Sequence, residues 1–154
     1  MSFHIVLVNP EIPANTGNIS RTCAATHSGL HLVRPLGFST DDRYLKRAGL
    51  DYWDSVHLNY HDSFEEVEQQ LAGKRFFLAT TKAKQYYHEF EFKDDDVFVF
   101  GRETAGLPAE LLAKYPEQLI KIPIGDTVRS LNLSNAVAIV LYEALRQTNY
   151  PKML

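Results

Sequence analysis

The sequence predicts an α/β fold, a mainly parallel sheet with helices on both faces. Three observations predict it. The short apolar run at residues 3–8 reads as a strand buried on both sides, which in soluble proteins points to a parallel sheet covered on each face. Segments with helical spacing separate the apolar runs, and strand–helix alternation belongs to that class. Polar stretches rich in Asn, Gly and Arg follow several of the strands, where open α/β sheets place their ligands.

Taken in order, residues 3–8 make the first strand. Pro10 and Pro13 forbid regular helix until about residue 13, and Asn15 or Thr16 is placed to cap the first helix. That helix runs to about residue 28, turns Ile19 and Cys23 inward, and stops at Gly29. Residues 31–34 form a second strand before Pro35. Residues 41–49 form a short helix with acids first, bases last and glycine after. A third strand covers 56–60, an acidic-faced helix 63–71, and a fourth strand 75–81. Residues 82–93 are polar and aromatic without clear period and read as loop. A fifth strand covers 96–101, a helix opened by Pro108 covers 108–114, and a sixth strand covers 118–122. Leu133, Ala136, Val137, Val140, Leu141 and Ala144 then give a helical stripe, with Ser130 and Asn132 as natural caps. Ile139 and Tyr142 lie off that stripe, so the last helix is expected to be covered on two sides.

At 154 residues the chain reads as one domain, 1–154, with 45% hydrophobic and 23% charged residues. No apolar run is long enough to cross a bilayer, and residues 1–4 show no export signal, which points to a cytoplasmic protein without a membrane partner. Cys23 is alone, which excludes an internal disulfide. A net charge of −3 speaks against a wholly basic nucleic-acid binder, yet the charge is uneven. Acids gather at 65–68 and 93–96, while Arg43, Lys46, Arg47, Lys82 and Lys84 cluster elsewhere.

Common fingerprints are missing. Neither GxGxxG after the first strand, nor GxxxxGK[ST], nor GxSxG occurs. The pairs His27/His31 and His57/His61 straddle a loop or strand and read as surface or core residues rather than metal ligands. Cys23 reads as a small core filler. Gly101 and Gly106 could be turn glycines, Arg21 and Arg129 solvated charges, and Asn15 and Asn132 caps. Their combination outweighs each single reading. Asn-Thr-Gly-Asn-Ile-x-Arg follows strand one, Phe-Gly-x-Glu-x-x-Gly-Leu-Pro follows strand five, and Ile-Pro-x-x-x-x-x-Arg-Ser-Leu-Asn-Leu-Ser-Asn-Ala follows strand six.

That ordered trio resembles the three motifs of the SPOUT superfamily of RNA methyltransferases, over the whole chain and without an added RNA-binding domain. It is most similar to the branch of small tRNA 2′-O-methyltransferases that modify the wobble cytidine or uridine, which the stretch 41–52 also resembles. The resemblance implies a C-terminal trefoil knot, a homodimer whose sites are completed by the partner, and S-adenosyl-L-methionine as co-substrate without a metal. It implies that the cofactor is held by Ala79, Thr80, Gly101, Ile122, Ser130 and Leu131. The motif-one arginine is Arg21, to which the family assigns activation of the ribose hydroxyl, and Tyr142 matches a tyrosine near the dimer interface. Arg102 stands where this branch often carries proline, and Glu103 is expected to brace the glycine loop.

The chemistry asks little bond-making of the protein. An activated methyl donor needs the acceptor hydroxyl placed in line with the S–CH₃ bond, and something to stabilise the developing alkoxide. A guanidinium, with a pKa of about 12 or more, is a poor base. Arg21 is therefore expected to act electrostatically on the 2′-oxygen and its phosphate. Asn15, Asn18, Lys46, Lys82 and Arg129 are the candidate contacts to tRNA, and Tyr86 and Tyr87 could stack on a loop base. Basic patches pooled across a dimer would answer the acidic balance. Three alternatives stay open: a 2′-O-methyltransferase of another tRNA or rRNA site, a non-catalytic S-adenosylmethionine or RNA-binding module, and last, for want of any phosphate fingerprint, a plain nucleotide-binding regulatory domain.

Overall fold

Strand β1 (His4–Val8) is buried at every residue because its two faces meet two different apolar layers. Ile5 and Leu7 enter one cluster with Ile19, Cys23, Phe98, Phe100, Val137 and Leu141, while Val6 and Val8 enter another with Val33, Phe64, Val67, Val99 and Leu111. The period-two alternation of Cβ directions across a strand turns one continuous apolar run into two half-cores.

The computed structural model describes residues 2–39, 43, 47 and 55–154. The helix expected at 41–49 and the candidate contact Lys46 lie outside the described residues, though Arg43 and Arg47 are both helical. After β1 come α1 (Pro13–Thr26), β2 (Gly29–Val33), β3 (His57–His61), α2 (Phe64–Gln70) and β4 (Phe76–Ala79). Next are β5 (Gln85–Tyr86), a 3₁₀ turn (Tyr87–Glu89), β6 (Val97–Phe100), α3 (Ala109–Ala113), β7 (Leu119–Lys121) and α4 (Leu133–Gln147). Among the described residues, seven strands form one sheet in the order β3-β2-β1-β6-β4-β7-β5, with every strand pairing parallel.

Four expectations are corrected. Helix α1 begins at Pro13, so Asn15 and Thr16 lie inside its first turns instead of capping it, and Ile12 at the cap position makes no side-chain cap bond. The helix stops at His27, in the left-handed region at φ 55°, and Gly29 belongs to β2. Residues 82–93 are not all loop. Gln85 and Tyr86 pair with Ile120 and Lys121 as an edge strand too short to leave a periodic signal. Of the two caps expected for α4, Asn132 acts and Ser130 does not: the Asn132 side chain accepts from the backbone N–H groups of Ser134 and Asn135.

One sheet face carries an unusual buried ladder. His4, His31 and His61 step diagonally across β1, β2 and β3, each two residues beyond its neighbour's register partner, and are 4%, 1% and 4% exposed. His4 Nδ1 lies 3.3 Å from His31 Nε2, and His31 Nδ1 lies 3.1 Å from His61 Nε2. His4 Nε2 faces Asp95 Oδ1 at 2.9 Å, and Lys74 Nζ holds the other oxygen of Asp95 at 2.6 Å. A carboxylate only accepts, so His4 donates from Nε2 and its Nδ1 must accept from His31. Asp95 thereby sets every proton of the ladder on Nε2.

Candidate active site

The strand order changes direction beside β1 and β6, and the loops leaving their carboxyl ends meet there, the place where open α/β sheets bind ligands. A cavity of about 580 Å³ opens at this point, within the range of small-molecule sites. Its walls come from the exits of β4 (Ala79, Thr80), β6 (Gly101 to Leu107) and β7 (Ile122), and from the segment leading into α4 (Arg129 to Leu133). Leu107, Leu112, Leu133, Ala136 and Val140 add an apolar floor.

Gly101 is where the chain cannot carry a side chain. A Cβ there would stand 2.1 Å from the carbonyl carbon of Gly106, because residues 101–107 fold back on themselves and Gly106 N–H donates to Arg102 O at 2.9 Å. Gly106 adopts φ +67°, the left-handed region that favours glycine. Both are turn glycines, and the turn they build is a wall of the cavity.

A polar chain locks the three motif loops together. Glu103 accepts from the backbone N–H groups of Glu11 and Ile12, both at 2.9 Å, and from Asn15 Nδ2 at 3.1 Å. The missing cap of α1 is thus supplied by a carboxylate from the loop after β6, which also meets the positive end of the helix dipole. Asn15 Oδ1 accepts from Asn132 Nδ2 at 3.1 Å, and Asn132 Oδ1 caps α4 through Ser134 N at 2.9 Å. Each amide orientation is forced by its neighbour, since a carboxylate cannot donate and the helix end needs an acceptor. In the reverse direction Glu11 accepts from the backbone and hydroxyl of Thr104 at 3.1 and 2.7 Å, which holds its carboxyl below the usual range. The sequence suggested only that Glu103 braces its own loop. Its partners lie 88 to 92 residues away in the chain, so no local pattern reports them.

All six residues expected to hold the cofactor, Ala79, Thr80, Gly101, Ile122, Ser130 and Leu131, line this one cavity, as do Asn15, Lys82 and Arg129. Asn18 and Arg21 are exposed on α1, and Tyr142 is 44% exposed on α4; none of the three lines it. Arg21 is six residues beyond Asn15, about 9 Å along the axis and turned about 120° from it. The second side of α4, expected to be covered, is open in the single chain: Asn135, Tyr142 and Arg146 are exposed and Ile139 only partly buried. Cys23 is fully buried, which pushes its thiol up and removes it as a nucleophile.

Among known proteins, this chain is 54% identical over 153 residues to a Geobacillus stearothermophilus protein provisionally named tRNA (cytidine(34)-2′-O)-methyltransferase, covering 97% of this chain and 98% of the relative. A solved structure concerned with 2′-OH methylation of C/U34 on tRNA superposes with a TM-score of 0.91 at 47% identity, covering 96% of both chains. An AdoMet-bound rRNA methyltransferase from Sinorhizobium meliloti superposes with a TM-score of 0.83 at 28% identity, over 94% of this chain and 56% of that one. The SpoU rRNA Methylase family matches residues 2–142, and this chain belongs to it.

Proposed function

We propose that this chain transfers the methyl group of S-adenosyl-L-methionine to the ribose 2′-oxygen of the wobble nucleotide, position 34, of tRNA, on cytidine or a carboxymethylaminomethyluridine-type base. The observation that carries this reading is the convergence of all six expected cofactor residues on one cavity, in a family member whose relative at 54% identity carries that activity in its name. The cavity's chemistry suits the cofactor: an apolar floor for a flat base, with polar backbone and hydroxyl groups from three loops around it. When bound, the cofactor supplies an electrophilic methyl on a sulfonium sulfur.

The chain's own residues then bind and orient. Ala79, Thr80, Gly101, Ile122, Ser130 and Leu131 hold the cofactor in the cavity. Asn15, fixed between Glu103 and Asn132, sits on its wall and orients the incoming ribose phosphate. Lys82 and Arg129 at the cavity contact the tRNA backbone, as do Asn18 and Lys46. Arg21 stabilises the developing charge on the 2′-oxygen electrostatically. Its distance from Asn15 along α1 favours delivery from a second copy of the chain, through a dimer in which the open faces of α1 (Asn18, Arg21, Ala25) and α4 (Asn135, Tyr142, Arg146) pack together. Tyr142 orients that interface.

Residues 1–154 act as one methyltransferase domain in the cytoplasm; no described helix is long and apolar enough to cross a membrane. We read the segment after β7 as the trefoil knot: β7 lies between β4 and β5, while α4 returns to join α1 in one apolar layer, and the segment between them walls the cavity. The test is incubation with labelled methyl donor and bulk tRNA, followed by digestion. Label on the 2′-oxygen of nucleotide 34 is expected, and label elsewhere refutes the assignment. Arg21→Ala should abolish transfer while the cofactor still binds; unchanged transfer removes its role.

A further inference from the structure

The cavity's charge is lopsided. Its lining holds four cations, Lys82, Arg102, Lys121 and Arg129, against the one acid Glu103, in a chain whose net charge is −3. Glu103 accepts from two backbone N–H groups and the Asn15 amide and forms no ion pair with any of the four among the described residues. Lys121 lies over the Tyr86 ring at 5.4 Å. Arg102 makes no side-chain hydrogen bond or ion pair among the described residues, and the neighbouring Glu11 carboxylate that feels its field is already held by Thr104. A sulfonium cofactor carries positive charge itself and gives no reason for such an array. An anionic second substrate does.

Arg102 differs from the other three in its backbone. It lies between Gly101, whose position admits no Cβ, and Glu103, anchored by three donors, and its own strand-like bridge to Gly106 closes the turn. Lys82 sits on a turn, and Arg129 on the irregular run into α4. A guanidinium with free donors on a fixed root holds its reach without further ordering of the chain, and its planar fork suits a phosphate.

We propose that Arg102 positions the RNA: its guanidinium grips a backbone phosphate of the bound RNA at the mouth of the cavity. This rests on the tRNA methyltransferase reading above. Arg102 is a substrate-positioning residue, and it does not contribute to cofactor binding.

The test measures equilibrium binding of unfractionated tRNA between 50 and 300 mM KCl, cofactor affinity by calorimetry, and steady-state kinetics, for wild type, Arg102→Gln and Arg102→Lys. For Arg102→Gln, tRNA binding weakens about five-fold at low salt, KM for tRNA rises by a similar factor, and kcat changes less than about two-fold. The slope of log affinity against log salt becomes shallower by about 0.7 to 0.9, the value of one phosphate contact. Cofactor affinity stays the same, and Arg102→Lys keeps the wild-type slope. An unchanged slope in Arg102→Gln overturns the proposal, and so does a loss of cofactor affinity, which would make Arg102 a cofactor ligand or a stiffener of the glycine turn. A wild-type protein that neither binds nor methylates tRNA fails the wider reading and takes this one with it.

Discussion

Acid should destabilise this fold well before its carboxylates titrate, because the buried histidine ladder cannot accept protons. Burial, and then the neighbouring His4 and His61, push the His31 imidazole from its ordinary 6.5 down to about 3. His4 and His61 are lowered as well, each chiefly by burial, against the opposing pull of Asp95 on His4 and of Glu66 on His61. Lys74 beside Asp95 and Arg34 beside His61 act in the same direction as burial. A histidine whose folded pKa lies below its unfolded pKa favours the fold at high pH, since the unfolded chain binds more protons. The stabilisation is complete above about pH 6.5 and is lost as pH falls from there toward 3.

For His31 alone, the full difference is on the order of 5 kcal/mol, and about 2 kcal/mol of it is lost between pH 7 and pH 5. For a chain of this size that is a fall in Tm of about 4 to 8 °C from one residue. Asp95, held below its usual range by Lys74 first and then by His4, loses stability in the same direction but in a lower window, only below about pH 4. The pH 7 to 5 interval therefore isolates the imidazoles. The assay is thermal unfolding followed by circular dichroism at pH 7, 6 and 5, in wild type and in His31→Gln. The amide of the variant can still donate and accept but does not titrate. The variant should start lower and fall less steeply, by about 2 kcal/mol less over the interval. Equal slopes in the two proteins, or an NMR titration of His31 near 6.5, would refute the reasoning, as would a ring proton found on Nδ1 of His31 at neutral pH.

Other perturbations test the site. Gly101→Ala forces a Cβ to within 2.1 Å of the Gly106 backbone, so the turn must open at a cost of about 3 kcal/mol or more; calorimetry should show cofactor binding lost. Glu103→Gln leaves three donors facing a single acceptor oxygen and should lower Tm by about 4 to 8 °C, with weaker tRNA transfer, as α1 loses its cap and Asn15 its anchor. A wild-type melting curve in that variant would mean the carboxylate is not what holds the loops. Thr16 is fully buried and its hydroxyl has no hydrogen-bond partner among the described residues, so Thr16→Val should raise stability by about 1 kcal/mol, or Tm by about 2 to 4 °C. A drop in Tm would show that the hydroxyl is satisfied in solution.

The α/β class, the helical stripe of α4 and the two-sided burial of β1 were legible in the chain alone, because each depends on a period that neighbouring residues carry. Asn132 as the cap of α4 and Cys23 as core filler were legible for the same local reason. The ordered motifs also pointed to the residues that line the cavity, through resemblance. What only the tertiary structure decided involves groups far apart in sequence. The carboxylate that caps α1 comes from residue 103, the cap amides are oriented by one another across 117 residues, and the edge strand β5 exists because β7 offers it a partner. The His ladder is the sharpest instance: His31 and His61, one from each spaced pair read as surface or core residues, join His4 in one proton-ordered chain only when three parallel strands align them diagonally. Periodicity reports which face a residue takes. Register and strand order decide whom it meets, and those are set by the packing of the whole sheet.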